Sequence, residues 1–165
     1  MMDVANEYLK VIRKQFLAIK TQGDKTLEQL SDEEFFWRPN ENSNNICIII
    51  KHMNGNMKSR WTDFLTTDGE KSDRNRDDEF VDDFQSKRDV LLLWEEGWEI
   101  LFTTINQLRS DDVLKELTIR GEKHTVIEAI ERQIAHYASH VGQIIYIVKY
   151  IKNENWKTIS IPKRK

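Results

Sequence analysis

Three of the four histidines in this chain have types and spacing that suit a shared metal ion. His136 and His140 are four residues apart, so a helix would stack them on one face with Cβ atoms about 5–6 Å apart. That separation lets two imidazoles reach one ion, as in helical H-x-x-x-H motifs. Both flank an apolar seam rather than oppose it, and Gln133, His136, His140 and Gln143 form a polar stripe at the core's edge, where helical bundles build sites. An isolated pair of this kind also arises on half-exposed faces with no ligand role. His52 adds a third imidazole from a separate segment, at the edge of an apolar run, with Asn56 and Arg60 following at four-residue steps. A lone histidine there would be a hydrogen-bonded core residue. Three imidazoles on two elements able to face each other make a ligand set for zinc, nickel or iron(II) with open coordination positions. The expected metal ligands are therefore His52, His136 and His140. His124 reads as a solvated or capping residue.

The residues between the paired histidines, Tyr137, Ala138 and Ser139, include no carboxylate, so the zincin pattern is absent and a peptidase loses its main support. An ion on three protein ligands keeps a position for water or substrate, and it lowers the pKa of a water or thiol bound there. One reading is an enzyme in which a thiolate attacks an electrophilic carbon. Arg60 would then orient an anionic group, and Asn56 and Gln143 would hold a water or a substrate carbonyl. The plainer alternatives are a surface arginine paired with Asp63 or Glu70, and structural amides. A second reading is a non-enzymatic module that binds metal for stability or sensing, with Trp61, Trp94 and Trp98 either at an interface or in the core. A third is a hydrolase using bound hydroxide, disfavoured because neither histidine stripe carries an acidic residue. No catalytic residue is assigned.

Four helices must position these side chains. Ala5, Leu9, Ile12, Phe16 and Ile19 share one face, and the pattern resumes at Leu27 and Leu30 past Gly23 and Asp24, where a bend is expected. Ser31 and Glu34 can form a capping box on a short turn closed by Pro39. The second helix is expected over about 45–66, with Ile46, Ile50, Met53, Met57, Trp61 and Phe64 inward. Residues 67–85 are charged and aperiodic and read as a solvated surface connection. The third helix spans about 86–109, with Val90, Trp94, Trp98, Leu101, Ile105 and Leu108 inward. Leu117–Ile119 and Lys123–Val126 flank Gly121-Glu122 as a small β-hairpin. The fourth helix, about 125–151, keeps Ile127, Ile130, Ile134, Tyr137, Val141, Ile144, Val148 and Ile151 in phase. The expected fold class is all-α, a four-helix bundle with a small β-hairpin before the last helix, in one domain over residues 1–165.

Composition narrows the function classes. With 165 residues and a net charge of -3, the chain lacks the clustered basic surface that nucleic acid requires; Lys163, Arg164 and Lys165 form only a short basic tail. No apolar run approaches the roughly 20 residues of a membrane span, and no signal-peptide layout opens the chain, so a cytoplasmic location and no membrane partner are expected. Cys47 is the only cysteine and sits in an apolar run, which suits a packing thiol rather than a nucleophile.

Several segments carry a family resemblance. Ile50-Lys51-His52-Met53, Gly55-Asn56 and Ser59-Arg60-Trp61 resemble the second helix of the DinB-like (DinB/YfiT-like) metal-binding bundles, a superfamily of metalloenzymes. His136-Tyr137-Ala138-Ser139-His140-Val141-Gly142-Gln143-Ile144 resembles their last-helix signature. Phe36-Trp37-Arg38-Pro39, Asp68-Gly69-Glu70-Lys71 and Arg74-Asn75-Arg76-Asp77 are similar to segments of a small bacterial subgroup of unassigned function. The resemblance covers nearly the whole chain. It implies a bundle in which His52, His136 and His140 hold a divalent metal ion, zinc or nickel first and iron next. It also implies a small-molecule substrate, a low-molecular-weight thiol as co-reactant in a transferase or isomerase, and pairing as a homodimer.

Overall fold

Side chains from the sequence start each long helix. In the computed structural model, which describes residues 3–84 and 86–161, Asp3 caps α1 (Val4–Leu27), Asn45 caps α2 (Ile46–Trp61), Ser86 caps α3 (Lys87–Gln107) and Thr125 caps α4 (Val126–Lys152). Each cap oxygen accepts a backbone N–H that the first helical turn leaves without a partner. Thr125 and Glu128 complete a reciprocal capping box on α4. Ser31 and Glu34 bond each other's backbone in the same way around a short 3-10 turn, Glu33–Phe36. Two antiparallel strands, β1 (Glu116–Ile119) and β2 (Glu122–Thr125), precede α4. The fold is thus the all-α four-helix bundle with a small β-hairpin before the last helix. The basic tail Lys163 to Lys165 lies outside the described residues.

The most extensive helix contacts pair α1 with α4 and α2 with α3, and one apolar cluster runs through all four. Trp61, Trp94 and Trp98 are all in that core, at 0%, 3% and 0% exposure, so none is free to anchor a partner.

Four features differ from expectation, each for a local reason. Helix α1 runs unbroken through Gly23 and Asp24 to Leu27. A Cβ there would lie 2.6 Å from Trp94 Cη2, and Asp24 Oδ1 accepts the Trp94 indole N–H at 2.7 Å, so the pair marks a close helix crossing. Helix α2 stops at Trp61 rather than about residue 66, because Thr62 is extended and Asp63 takes a positive φ of 49°. The hairpin turns on Arg120-Gly121, one residue earlier than read, with both at positive φ (56° and 75°) as a tight two-residue turn requires. Finally, α2 does not show one apolar face and one wet one. Thirteen of its sixteen residues are buried, His52, Asn54, Asn56, Ser59 and Arg60 among them. A helix buried on nearly every side is central to its protein. Residues 62–84 cover the polar side that a solvated connection would have left exposed.

Candidate metal centre

Two core hydrogen bonds set α2 against α4. The Trp61 indole N–H donates to the Tyr137 hydroxyl at 3.0 Å, and that hydroxyl donates to Asn56 Oδ1 at 2.9 Å. Burial drives the Tyr137 pKa up, which keeps the proton on the hydroxyl and the chain intact. Tyr137 directly follows His136 in α4, and Asn56 lies one turn from His52 in α2. Locking the first pair therefore aligns the second. The periodic pattern had marked Tyr137 only as an apolar core position.

The three histidines meet at the α2–α4 seam. His52 Nε2 lies 3.2 Å from His136 Nε2, and His140 Nε2 lies 2.9 Å from the same atom. One nitrogen of each ring falls within 4.8 Å of the other two. Ions bound by imidazole at about 2.0–2.1 Å hold neighbouring nitrogens about 2.9–3.4 Å apart, for octahedral and tetrahedral angles respectively. The two short edges match that range.

The outer nitrogens decide the tautomers. His52 Nδ1 donates to Glu79 Oε2 at 2.8 Å, and His140 Nδ1 donates to Gln143 Oε1 at 2.8 Å. Each bond puts the ring proton on Nδ1 and leaves the Nε2 lone pair directed at the shared point. Burial, reinforced by the neighbouring His140 and His52, pushes the His136 pKa down to about 3, so this ring is neutral at physiological pH. Burial also lowers that of His140, against the opposing hydrogen bond it donates to Gln143. Neutral imidazoles with converging lone pairs are the form that coordinates metal, and the donor set is capable of holding a divalent ion.

Glu79 comes from the segment expected to be solvated, and neither spacing nor periodicity signals it. It is buried, and Arg74 grips it through two bonds, Nε to Oε1 at 2.7 Å and Nη2 to Oε2 at 2.8 Å. Burial alone would raise its pKa; the bonds from His52 and Arg74 and the Arg74 charge outweigh that and lower it. Gly55 makes the approach feasible, since a Cβ on this helix position would lie 2.7 Å from Glu79 Cδ. Phe80 stacks on the His52 ring at 5.0 Å between centroids, and Lys51 ties Asp78 and Asp83 to α2. A second, half-buried carboxylate cluster centres on Glu70, which accepts from Arg60, Arg74 and Arg120 at 2.9, 3.2 and 3.1 Å.

A cavity of about 200 Å³ opens beside His52 and His136. Asn56 and Arg60 line it, as does Gln133. Arg60 is the partner of Glu70 rather than of Asp63, and it is buried, at 4% exposure, with Nη1 also donating to the Gly69 carbonyl. Gln143 does not line the cavity; its amide is spent on His140. His124 is half-buried in β2 opposite Leu117 and takes no part in the cluster. Cys47 is fully buried, its Sγ 3.3 Å from the Phe35 carbonyl, and burial pushes its pKa up to about 12. That is the environment of a packing thiol. No helix among the described residues is long and apolar enough to cross a membrane.

Residues 3–165 match the family described as "Protein of unknown function (DUF1572)". No curated protein and no solved structure matches the chain.

Proposed function

The chain belongs to the DUF1572 family, part of the DinB/YfiT-like superfamily, and we propose that it is a metal-dependent transferase that uses a low-molecular-weight thiol. His52, His136 and His140 would hold the ion, zinc or nickel. The observation that carries this reading is the convergence of three Nε2 atoms, two of them on rings whose outer N–H is already committed to Glu79 or Gln143. A divalent ion at this point would act as a Lewis acid, lowering the pKa of a thiol or water at an open position.

The chain's own residues then have separable tasks. Glu79 and Gln143 hold the His52 and His140 rings in orientation. The cavity beside His52 and His136 gives substrate its approach, and Asn56, fixed by Tyr137, stands at its wall. In the transfer, the thiol proton goes to solvent and sulfur bonds to the electrophilic carbon, while the leaving group departs with its electron pair. Glu79 does not favour the hydrolase alternative. Its two oxygens are engaged by His52 and Arg74 behind the ligand ring, so it is not placed as a base for an attacking water.

Elemental analysis of protein purified without a nickel column tests the ion first. Wild type should carry about one equivalent and His136→Ala none; equal content in both sinks the site. Turnover of an electrophile panel with several thiols, abolished by a chelator, tests the reaction. Metal-loaded protein that turns over none of them would leave a non-catalytic metal-binding module as the function.

A further inference from the structure

An acidic protein concentrates arginine at one place. Five of its ten arginines, Arg60, Arg74, Arg76, Arg120 and Arg132, line the cavity of about 200 Å³ beside His52 and His136, and no lysine does. They come from α2, from the segment after it, from the hairpin turn and from α4, so no local run of sequence produces the cluster. We infer that this cavity is an anion pocket, which receives a compact dianionic group, phosphoryl or paired carboxylate, of the molecule handled at the histidine centre. The inference names a substrate class for the site proposed above and rests on that reading for its chemistry.

Charge accounting supports it. Glu70 and Glu79 are the only carboxylates in ion pairs with these arginines among the described residues, which leaves three positive charges uncompensated. Asp68, near Arg120, is taken up by the backbone N–H groups of Glu70, Arg120 and Gly121. Arg76 and Arg132, exposed at the rim, make no ion pair and no side-chain hydrogen bond within the described residues.

Unmet hydrogen-bonding capacity points the same way. Arg60 Nε and Gln133 Oε1 are both buried without a partner, in residues that are 4% and 2% exposed and that both line the cavity. A buried donor left unpaired is costly, and an anion's oxygen would relieve it. Gln133 Oε1 is an acceptor, which suits a hydroxyl or N–H beside the anionic group. Guanidinium rather than ammonium is the chemistry for bidentate contact with phosphate or carboxylate. At about 200 Å³, the cavity is on the scale of a small dianion rather than a polymer.

The test uses the full-length, metal-free protein, titrated calorimetrically with inorganic phosphate, malonate and acetate at constant ionic strength. At least one dianion should bind saturably and acetate should not. Preference for phosphate would identify a phosphoryl ligand, and preference for malonate a dicarboxylate. Arg76→Gln and Arg132→Gln should each weaken binding about tenfold, the loss expected for one charge-assisted hydrogen bond. Arg88→Gln, on the exposed side of α3, should leave it unchanged. Absence of saturation by either dianion, or equal binding by the Arg76/Arg132 double variant, overturns the pocket. Because the titration needs no metal, its failure is distinguishable from failure of the histidine site, which metal content alone decides.

Discussion

Helix α4 places His136 and His140 through periodicity alone, whereas residues 62–84 place Glu79 and Arg74 only through contacts with other elements. In α4 the ligands follow from the four-residue step of a helix whose apolar seam is continuous from Ile130 to Val148. In the connecting segment, two ions with only 5% and 7% of their side chains exposed sit against α2, held by each other, by Glu70 and by His52. The first arrangement is locally cheap and robust. The second desolvates charge and depends on every partner being present, because breaking a buried pair from one side costs more than the pair contributes. A histidine cluster assembled from both, capable of holding an ion, depends on local helix geometry on one side and on mutually dependent ion pairs on the other.

Removing the carboxylate should show the largest effect. Glu79→Ala leaves Arg74 with Glu70 as its one remaining carboxylate and frees the His52 ring, and should cost about 3–5 kcal/mol of unfolding free energy by urea titration. A loss near zero would return the segment to a solvated loop. Next, saturating zinc should stabilise wild type by about 2.7 kcal/mol at a hundredfold excess over Kd. His136→Ala should lose that gain in a thermal melt.

Metal-free protein should report the same residue through pH. With the folded His136 pKa near 3 and the unfolded value near 6.5, the unfolded chain binds the extra proton between them. Its contribution is therefore complete above about pH 6.5 and declines as pH falls toward 3. Glu79, also lowered on folding, should add a second loss at lower pH, beginning near the unfolded carboxylate value of about 4.3. Urea midpoints measured across this range for wild type, His136→Asn and Glu79→Gln would separate the two windows.

A smaller change probes the same contact from α2. Gly55→Ala pushes the Glu79 side chain away and should cost about 1–3 kcal/mol. Gln143→Ala should be the mildest, leaving stability intact and weakening metal affinity about tenfold, as loss of an outer hydrogen bond to a ligand does. If Gln143→Ala proves as damaging as Glu79→Ala, the contrast between helix and segment fails.

Much of the bundle was legible before any coordinates. The seams of α1, α3 and α4 follow from spacings of three and four, and the Ser31–Glu34 box holds the backbone N–H groups its positions suggest. What escaped is polar and long-range. A charged, aperiodic stretch such as residues 67–85 has the same composition whether water or arginine satisfies it. Asn54, Asn56 and Arg60 look like a wet face until Leu93 and Glu96 of α3 meet Asn54, Tyr137 meets Asn56 and Glu70 meets Arg60.

By itself, the sequence determined the four helices with the apolar seams of α1, α3 and α4, the pairing of His136 with His140, and His52 as the third imidazole, because helical periodicity is a local property of residue order. Only the tertiary structure decided that Glu79 and Gln143 orient the outer rings, that Gln143 stands apart from the cavity, and that five arginines from four segments face it. Those outcomes depend on which charges meet once the chain is compact. Coulombic and hydrogen-bond partners across tens of residues leave no period in the sequence, whereas an apolar face does.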